Sequence, residues 1–340
     1  MAGQTVVITA LEAQHAVESA LVRHGATATD ARLQATILVE AELRGHPSHG
    51  LLRVPVLAQR LAAGVAVSGV EPEYRWVTPS ALRVDGARNL GPVVMDGVIT
   101  RLLARVEAAG VVMAAISNAG HVGMLAPHAE RFALAGSIVI MLTISEALVH
   151  PSGGSRALLG TNPIGIGIPS EPAPIVLDMS TAQVSAGKIL DYAGRGESIP
   201  LGWAIDDRGR PTTDAEAAAH GSIAPFGGAK GYGLALAFEA MVGVLAGSAF
   251  GTDVHGTLDV DQPPTKGDLV VAFSPTALGA ANSTDRLGRY LDELRASGSH
   301  DDPVRIPGDR ARALREERLR TGVPVDATTW ARVLGLGAKP

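Results

Sequence analysis

Apolar residues recur three and four apart through residues 10–23 and 30–44, the spacing that lines up one stripe of an α-helix. Thr29 or Asp30 stands where the second of these helices needs its N-cap. A third helix is expected over 50–63, after the polar break Gly45-His46-Pro47-Ser48. The texture then changes. Short strands are predicted at 74–77 and 82–84, a helix at 93–109 with Pro92 in its first turn, and a β-rich run at 111–116. Beyond it the pattern alternates: helix 124–135, strand 138–143, a Gly/Pro loop, strands 164–168 and 175–177, helix 183–192. Residues 195–214 are rich in turn formers, with a tight turn at Asp206-Asp207-Arg208-Gly209. A small-residue helix over 231–246 should lie buried between layers. A strand at 269–273 and three amphipathic helices, 284–296, 309–320 and 326–334, close the chain. Helices at both ends of an α/β middle imply that the termini pack together while the middle carries chemistry.

The chain has 340 residues, enough for one large domain or a few interleaved ones. Hydrophobic residues make up 46% and aromatics only 4%, so the core must be aliphatic. Many of the 40 glycines cluster, at 153–154, 165–167 and 227–231, where a backbone can approach a ligand closely. The net charge of −5 comes without a basic block, which argues against nucleic acid or an anionic membrane as partner. The absence of cysteine excludes disulfides, thiolate nucleophiles and Cys-ligated metal. No charged leader with an apolar stretch is read at the start, and the longest apolar runs look too short or interrupted to span a bilayer. The expectation is a cytoplasmic globular protein.

Several familiar sites are missing. Gly165-Ile-Gly167-Ile-Pro-Ser fails the last position of a dinucleotide fingerprint, and Gly187-Lys188 lacks the rest of a phosphate loop. His46 and His49 have no third metal ligand nearby, so no metal is expected. Four constellations remain. In Gly45-His-Pro-Ser-His-Gly-Leu-Leu-Arg53, a helix starting near Ser48 would put His49 and Arg53 on one face. An imidazole beside a guanidinium suits a carboxylate next to a carbonyl: Arg53 would grip the carboxylate, His49 would exchange a proton with the oxygen. The alternative is a capped helix with a solvated His/Arg face. His121, between a strand and a helix, lies where ligands meet helix N-termini, or simply bonds locally. Asp178, Ser180 and Thr181 stand at a strand end, as binding groups or as caps. Lys230, in the glycine loop of 225–233, is either a phosphate contact or part of a turn.

Taken in order, these segments resemble the type-2 malate/L-lactate dehydrogenase family, which includes sulfolactate and ureidoglycolate dehydrogenases, diketogulonate reductase and piperideine-2-carboxylate reductase. The resemblance runs nearly end to end: Ser48-His49-Gly50 with Arg53, the His121 loop, Gly160-Thr-Asn-Pro163, Leu177-Asp-Met179, Gly187-Lys188, Ile199-Pro-Leu-Gly-Trp203, 225–233 and Ile306-Pro-Gly308. It implies a non-Rossmann three-layer α/β fold, a homodimer, and NADH or NADPH as cofactor. By position, Ser48 and His49 resemble the proton-transfer pair, Arg53 the carboxylate anchor and Thr161 a substrate contact. His121 is similar to a histidine that is the acid/base in some members and part of the cofactor site in others. Ser145, Asp178, Met179, Ser180, Thr181, Lys230, Pro307, Gly308 and Asp309 resemble cofactor contacts. The loop Asn118-Ala-Gly-His-Val-Gly123, the run Ser180-Thr-Ala-Gln183 and the acid Glu146 depart from the family's pattern, and the resemblance gives Glu146 no role.

The expected organisation is a helical unit (1–75 with 280–340), a central sheet and substrate unit (76–120 with 221–279), and a nicotinamide-binding unit (121–220). The function implied is hydride transfer between nicotinamide and C2 of a small 2-oxo or 2-hydroxy acid. Reduction of a cyclic ketimine on the same scaffold is the alternative, and a non-catalytic binding protein a third.

Overall fold

The computed structural model describes residues 4–280, 283–299 and 303–338. A short strand β1 (Thr5–Ile8) leads into α1 (Ala10–Arg23), capped reciprocally by Thr9 and Glu12, and then α2 (Ala28–Leu43), capped by Thr27. The third helix, α3 (Val54–Ala62), starts four residues later than the pattern of 50–63 suggested. Two single 3₁₀ turns, Pro47–His49 and Leu51–Arg53, fill the gap.

Next come β2 (Glu73–Thr78), β3 (Ala81–Asp85), α4 (Gly91–Ala109), β4 (Val111–Ser117), α5 (Leu125–Leu134), β5 (Ile138–Thr143), β6 (Ile164–Ile168) and β7 (Ile175–Met179). Helix α6 (Ala186–Arg195) begins three residues beyond its expected start, because Ser185 and not an earlier residue supplies the cap. The turn-rich stretch folds into a small sheet of β8 (Ala204–Ile205), β9 (Pro211–Thr212) and β10 (Ser222–Ile223) around α7 (Ala215–Ala219). Helix α8 (Ala229–Ala246) and β11 (Gly267–Phe273) follow, then α9 (Ser283–Ala296), α10 (Asp309–Thr321), β12 (Val323–Asp326) and α11 (Ala327–Gly337).

Seven strands form the main sheet in the order β2-β3-β4-β11-β5-β6-β7. Only β3 and β4 run parallel to each other; every other neighbouring pair is antiparallel. The near-continuous apolar runs of β4, β5 and β11 reflect burial on both faces. Alternate residues separate cleanly: Val112, Ala114, Ile116, Val139, Met141, Val270 and Ala272 pack under α4 and α5. Their neighbours Ala115, Leu142 and Leu269 pack under α8 with Val242 and Ala246. The two ends of the chain meet. β1 pairs antiparallel with β12, and Val17, Leu21, Leu38, Leu57, Val323, Val325 and Val333 share one core.

Helix α8 departs from expectation. The sequence predicts burial between layers, yet Leu234, Leu236, Met241, Val244 and Leu245 are exposed. Among the described residues it is also the one helix long and apolar enough, by length and composition, to cross a membrane. Its other side lies on the sheet, and its buried Glu239 is hydrogen-bonded within the protein.

The topology places several loops at one edge of the sheet. β4 ends there at Ser117 opposite Gly267, β5 ends at Thr143 opposite Asp268, and β6 begins at Ile164 opposite the end of β7 at Met179. The His121 loop, Ser145, Thr161, and Asp178 through Thr181 therefore issue from the same edge.

Candidate active site

His49 and Arg53 do not share an α-helical face. Gly50 adopts an extended conformation (φ −102°, ψ −135°) between the two 3₁₀ turns, which breaks the helix expected from Ser48. The cause is the buried Glu42 on α2, whose carboxylate accepts the Leu51 N–H at 2.8 Å. A Cβ on Gly50 would fall 2.2 Å from that carboxylate oxygen, so only glycine fits. The turn nevertheless brings the predicted groups together by another route. Arg53 Nε donates to Ser48 O at 2.7 Å, and Ser48 Oγ lies 3.1 Å from His49 Nδ1. Among the described residues the two terminal nitrogens of Arg53 make no hydrogen bond, which leaves a fork free for a carboxylate.

His121 meets this turn from the sheet edge. Its ring centroid is 5.6 Å from that of His49, with the planes tilted by 31°. Its Nδ1 accepts the Gly123 N–H at 3.2 Å, so the neutral ring carries its proton on Nε2. Burial, then Arg53, then His46 lower the His49 pKa to about 4. His121 is pushed well below the usual histidine range by burial first, then by Arg53, His49 and Lys266. Both rings are neutral at pH 7.

A second group of predicted residues forms a bonded relay. Ser145 Oγ is 3.3 Å from Thr161 Oγ1 and accepts the Thr161 N–H at 3.0 Å. Thr161 O accepts both the N–H and the Oγ1–H of Thr181, at 2.9 Å each, and Thr181 O accepts the Phe226 N–H at 3.0 Å. Phe226 leads to Gly227 and Gly228, both at positive φ (58° and 62°), and then to exposed Lys230 in the first turn of α8. A Cβ added at either glycine would meet nothing within 4 Å, so this loop borders open space that an anionic group can enter.

The remaining predicted residues sit farther along the edge, and four of them have structural partners. Asp178 accepts the Ala126 N–H at 2.8 Å and so caps α5 across the layers; burial raises its pKa to about 6. Ser180 Oγ accepts the Ala182 N–H at 3.2 Å, and Met179 is exposed. The Pro307–Gly308–Asp309 turn is docked on β7, where Pro307 O accepts the Val176 N–H. Asp309 itself bonds Arg312 at 2.9 Å and the Ile306 N–H at 3.1 Å.

Sequence reasoning missed three groups. Glu239 is buried in α8 and accepts from Asn162 Nδ2 at 2.7 Å, Gly160 N at 3.3 Å and Gly251 N at 2.7 Å, gripping the chain on both sides of Thr161. Its signal was a single acid within an apolar 18-residue helix, which demands buried partners. Lys266 and Asp268, both buried at the head of β11, pair at 2.6 and 2.7 Å. Breaking such a pair by removing one member costs roughly 3–5 kcal/mol. Glu146, for which the sequence offered no role, accepts the Leu258 N–H at 2.8 Å and the Thr257 N–H, and its charge acts on Arg53.

Across nearly its whole length the chain matches one family, described as malate/L-lactate dehydrogenase, over residues 8–334. The chain belongs to the malate/L-lactate dehydrogenase family. It is 35% identical to a (2R)-3-sulfolactate dehydrogenase (NADP(+)) of Chromohalobacter salexigens, covering 92% of each chain. It is 32% identical to a Delta(1)-pyrroline-2-carboxylate reductase of Ancylobacter novellus, covering 94% of each. Among solved structures, a dehydrogenase from Sinorhizobium meliloti superimposes with a TM-score of 0.94 at 46% identity, over 99% of both chains.

Proposed function

We propose that this family member is an NAD(P)H-dependent oxidoreductase acting at C2 of a small 2-oxo or 2-hydroxy acid. The observation that carries the reading is the convergence of Arg53, Ser48–His49 and His121 on one point at the sheet edge. The fork of Arg53 binds the substrate carboxylate in a bidentate manner. His49, oriented by Ser48 at Nδ1, holds or takes the proton of the reacting oxygen at Nε2. A bound carboxylate cancels the Arg53 charge, the second cause of the low His49 pKa, and so raises the ring's proton affinity when substrate is present. His121, with its proton on Nε2, orients the partner groups. Bound nicotinamide supplies the hydride acceptor or donor at its C4. The residues that fit it are the open glycine loop with Lys230, the Ser145–Thr161–Thr181 relay, Asp178 through Ser180, and the turn of Pro307, Gly308 and Asp309. The sulfolactate dehydrogenase relative supports this cofactor class.

Reduction of a cyclic imine at the same carbon is the second reading, favoured by the likeness to a pyrroline-2-carboxylate reductase. It needs the same carboxylate anchor, with nitrogen in place of oxygen. The reading extends to a non-Rossmann, three-layer, three-unit chain of cytoplasmic setting. Supporting it are the single parallel pair in the main sheet, the separate apolar core within residues 149–235, and the absence of cysteine. It includes a homodimer, for which the exposed apolar face of α8 is the natural interface.

The test is a panel of 2-oxo acids and cyclic imines with NADH and NADPH, read by cofactor oxidation, alongside titration of nicotinamide fluorescence. Saturable binding of one cofactor and turnover of at least one substrate is expected. Binding of neither cofactor refutes the proposal.

A further inference from the structure

Glu42 stands on the last turn of α2, 3% exposed, and neither the substrate contacts nor the proton transfer described above uses it. Its Oε1 accepts the Leu51 N–H at 2.8 Å, and Leu51 lies midway between His49 and Arg53 in the chain. Leu51 is fully buried, so its N–H has no access to water. In a continuous α-helix that N–H would bond Pro47 O, but here the Gly50 N–H takes that oxygen at 3.0 Å. Glu42 therefore supplies the partner that the interrupted helix withholds.

The interruption also frees a carbonyl. In an α-helix, Ser48 O would accept the Leu52 N–H. With Gly50 extended, no backbone N–H takes Ser48 O among the described residues, and Arg53 Nε does so at 2.7 Å. The tether that restrains the guanidinium thus exists because the helix is broken, and Glu42 holds the break. Glu42 is itself held from α10. Arg315 grips Glu40, two residues earlier, through three contacts of 2.7–3.0 Å, and Arg318 donates to Glu42 O. A Cβ added at Gly50 would overlap the Glu42 carboxylate, so the turn and the acid are packed without slack.

We infer that Glu42 is a positioning residue for substrate binding. By accepting the Leu51 N–H it keeps Ser48 O out of a helical ladder, and so keeps Arg53 tethered with its terminal nitrogens free for the substrate carboxylate. This rests on the site reading given above and deepens it. The role belongs to an acceptor oxygen rather than to a negative charge, so the amide of glutamine can fill it. Without the acceptor the turn at 48–53 can rewind, and the substrate must then order the guanidinium itself. The expected cost is roughly tenfold or more in kcat/KM, carried by KM.

The experiment compares Glu42→Leu, which removes the acceptor, with Glu42→Gln, each alone and combined with Arg53→Lys, on the best substrate from the panel. Glu42→Leu alone should lose roughly tenfold or more in kcat/KM, mostly through KM, with cofactor affinity unchanged. Glu42→Gln should stay within about threefold of wild type. In the Arg53→Lys background, where no Nε exists to tether, Glu42→Leu should cost less than about threefold further. Equal losses from Glu42→Leu in the two backgrounds, equal losses from Glu42→Leu and Glu42→Gln, or a loss confined to kcat overturn the inference. A second readout needs no turnover: the nitrogen-15 Nε–H signal of Arg53, assigned by its absence in Arg53→Lys. Its exchange with solvent should be slow in wild type and Glu42→Gln and fast in Glu42→Leu. Exchange in wild type as fast as at exposed arginines, or slow in all three proteins, also overturns it. Should Glu42→Leu fail to fold, Gly50→Ala, whose added Cβ displaces the carboxylate, takes its place with the same expected losses and the same refuting outcomes. If no substrate of the panel oxidises cofactor, the dehydrogenase reading falls, and the exchange measurement still decides whether Glu42 holds the tether.

Discussion

Arg53→Lys separates charge from geometry at the proposed anchor. In the structure Nε is tethered to Ser48 O at 2.7 Å, which restrains the guanidinium plane, and its two terminal nitrogens make no hydrogen bond among the described residues. A carboxylate docking there gains two parallel charge-assisted bonds. Lysine keeps the positive charge but offers a single ammonium, loses the tether, and cannot make the paired contact. One charge-assisted hydrogen bond contributes about 1.5–3 kcal/mol net, and loss of the tether adds freedom that must be removed on binding. The expected loss in kcat/KM is therefore about 2–3 kcal/mol, or roughly 30- to 150-fold, carried mostly by KM. Steady-state kinetics on the best substrate from the panel measures it, with cofactor titration and a thermal melt as controls. Activity within threefold of wild type, or a loss confined to kcat with KM unchanged, would refute Arg53 as the carboxylate anchor.

The parts of this site legible in the sequence were those whose residue type alone restricts their chemistry. A histidine and an arginine in a polar break between helices, a histidine at a strand-helix junction and a lysine in a glycine loop were all found that way. The local geometry was not legible, because it depends on a distant carboxylate. Glu42 reaches from α2 to take the Leu51 N–H, and that contact turns the expected helix at 48–53 into two 3₁₀ turns. The same reason hides Glu239 and Glu146, whose partners lie 77 and 112 residues away along the chain. The fold was readable where periodicity reports burial: α1, α4, β5 and β6 follow their patterns closely. β1 and β12 were not, since each is four residues long and is strand only because the other is there. Helix α8 misled because an apolar composition does not say whether the apolar face meets the protein's own core or something else.

Three further outcomes are expected. His49→Ala should lower kcat by roughly 10²–10⁴ with cofactor binding intact, whereas His121→Ala should weaken substrate or cofactor positioning more than proton transfer; the reverse pattern in kinetics and NAD(P)H titration would exchange their roles. Val244→Glu, at a position 74% exposed on α8, should convert the proposed dimer into a 34.9 kDa monomer by light scattering, and an unchanged dimer mass would place the interface elsewhere. The last concerns stability and pH. His128 is 1% exposed, its Nε2 bonds Val122 O at 3.0 Å, and its Nδ1 has no partner. Burial is the main cause that lowers its pKa from 6.5 to about 4, so the folded protein keeps the ring neutral where the unfolded chain protonates it. Since the folded pKa is depressed, this stability is present above pH 6.5 and is lost as pH falls towards 4. Between pH 7.5 and 5.0 the linkage amounts to about 2 kcal/mol. Urea unfolding should therefore show wild type losing about 2 kcal/mol more than His128→Gln over that interval. Equal losses in the two proteins would mean that the His128 ring titrates normally in the fold and that its unpartnered Nδ1 finds a proton acceptor when charged.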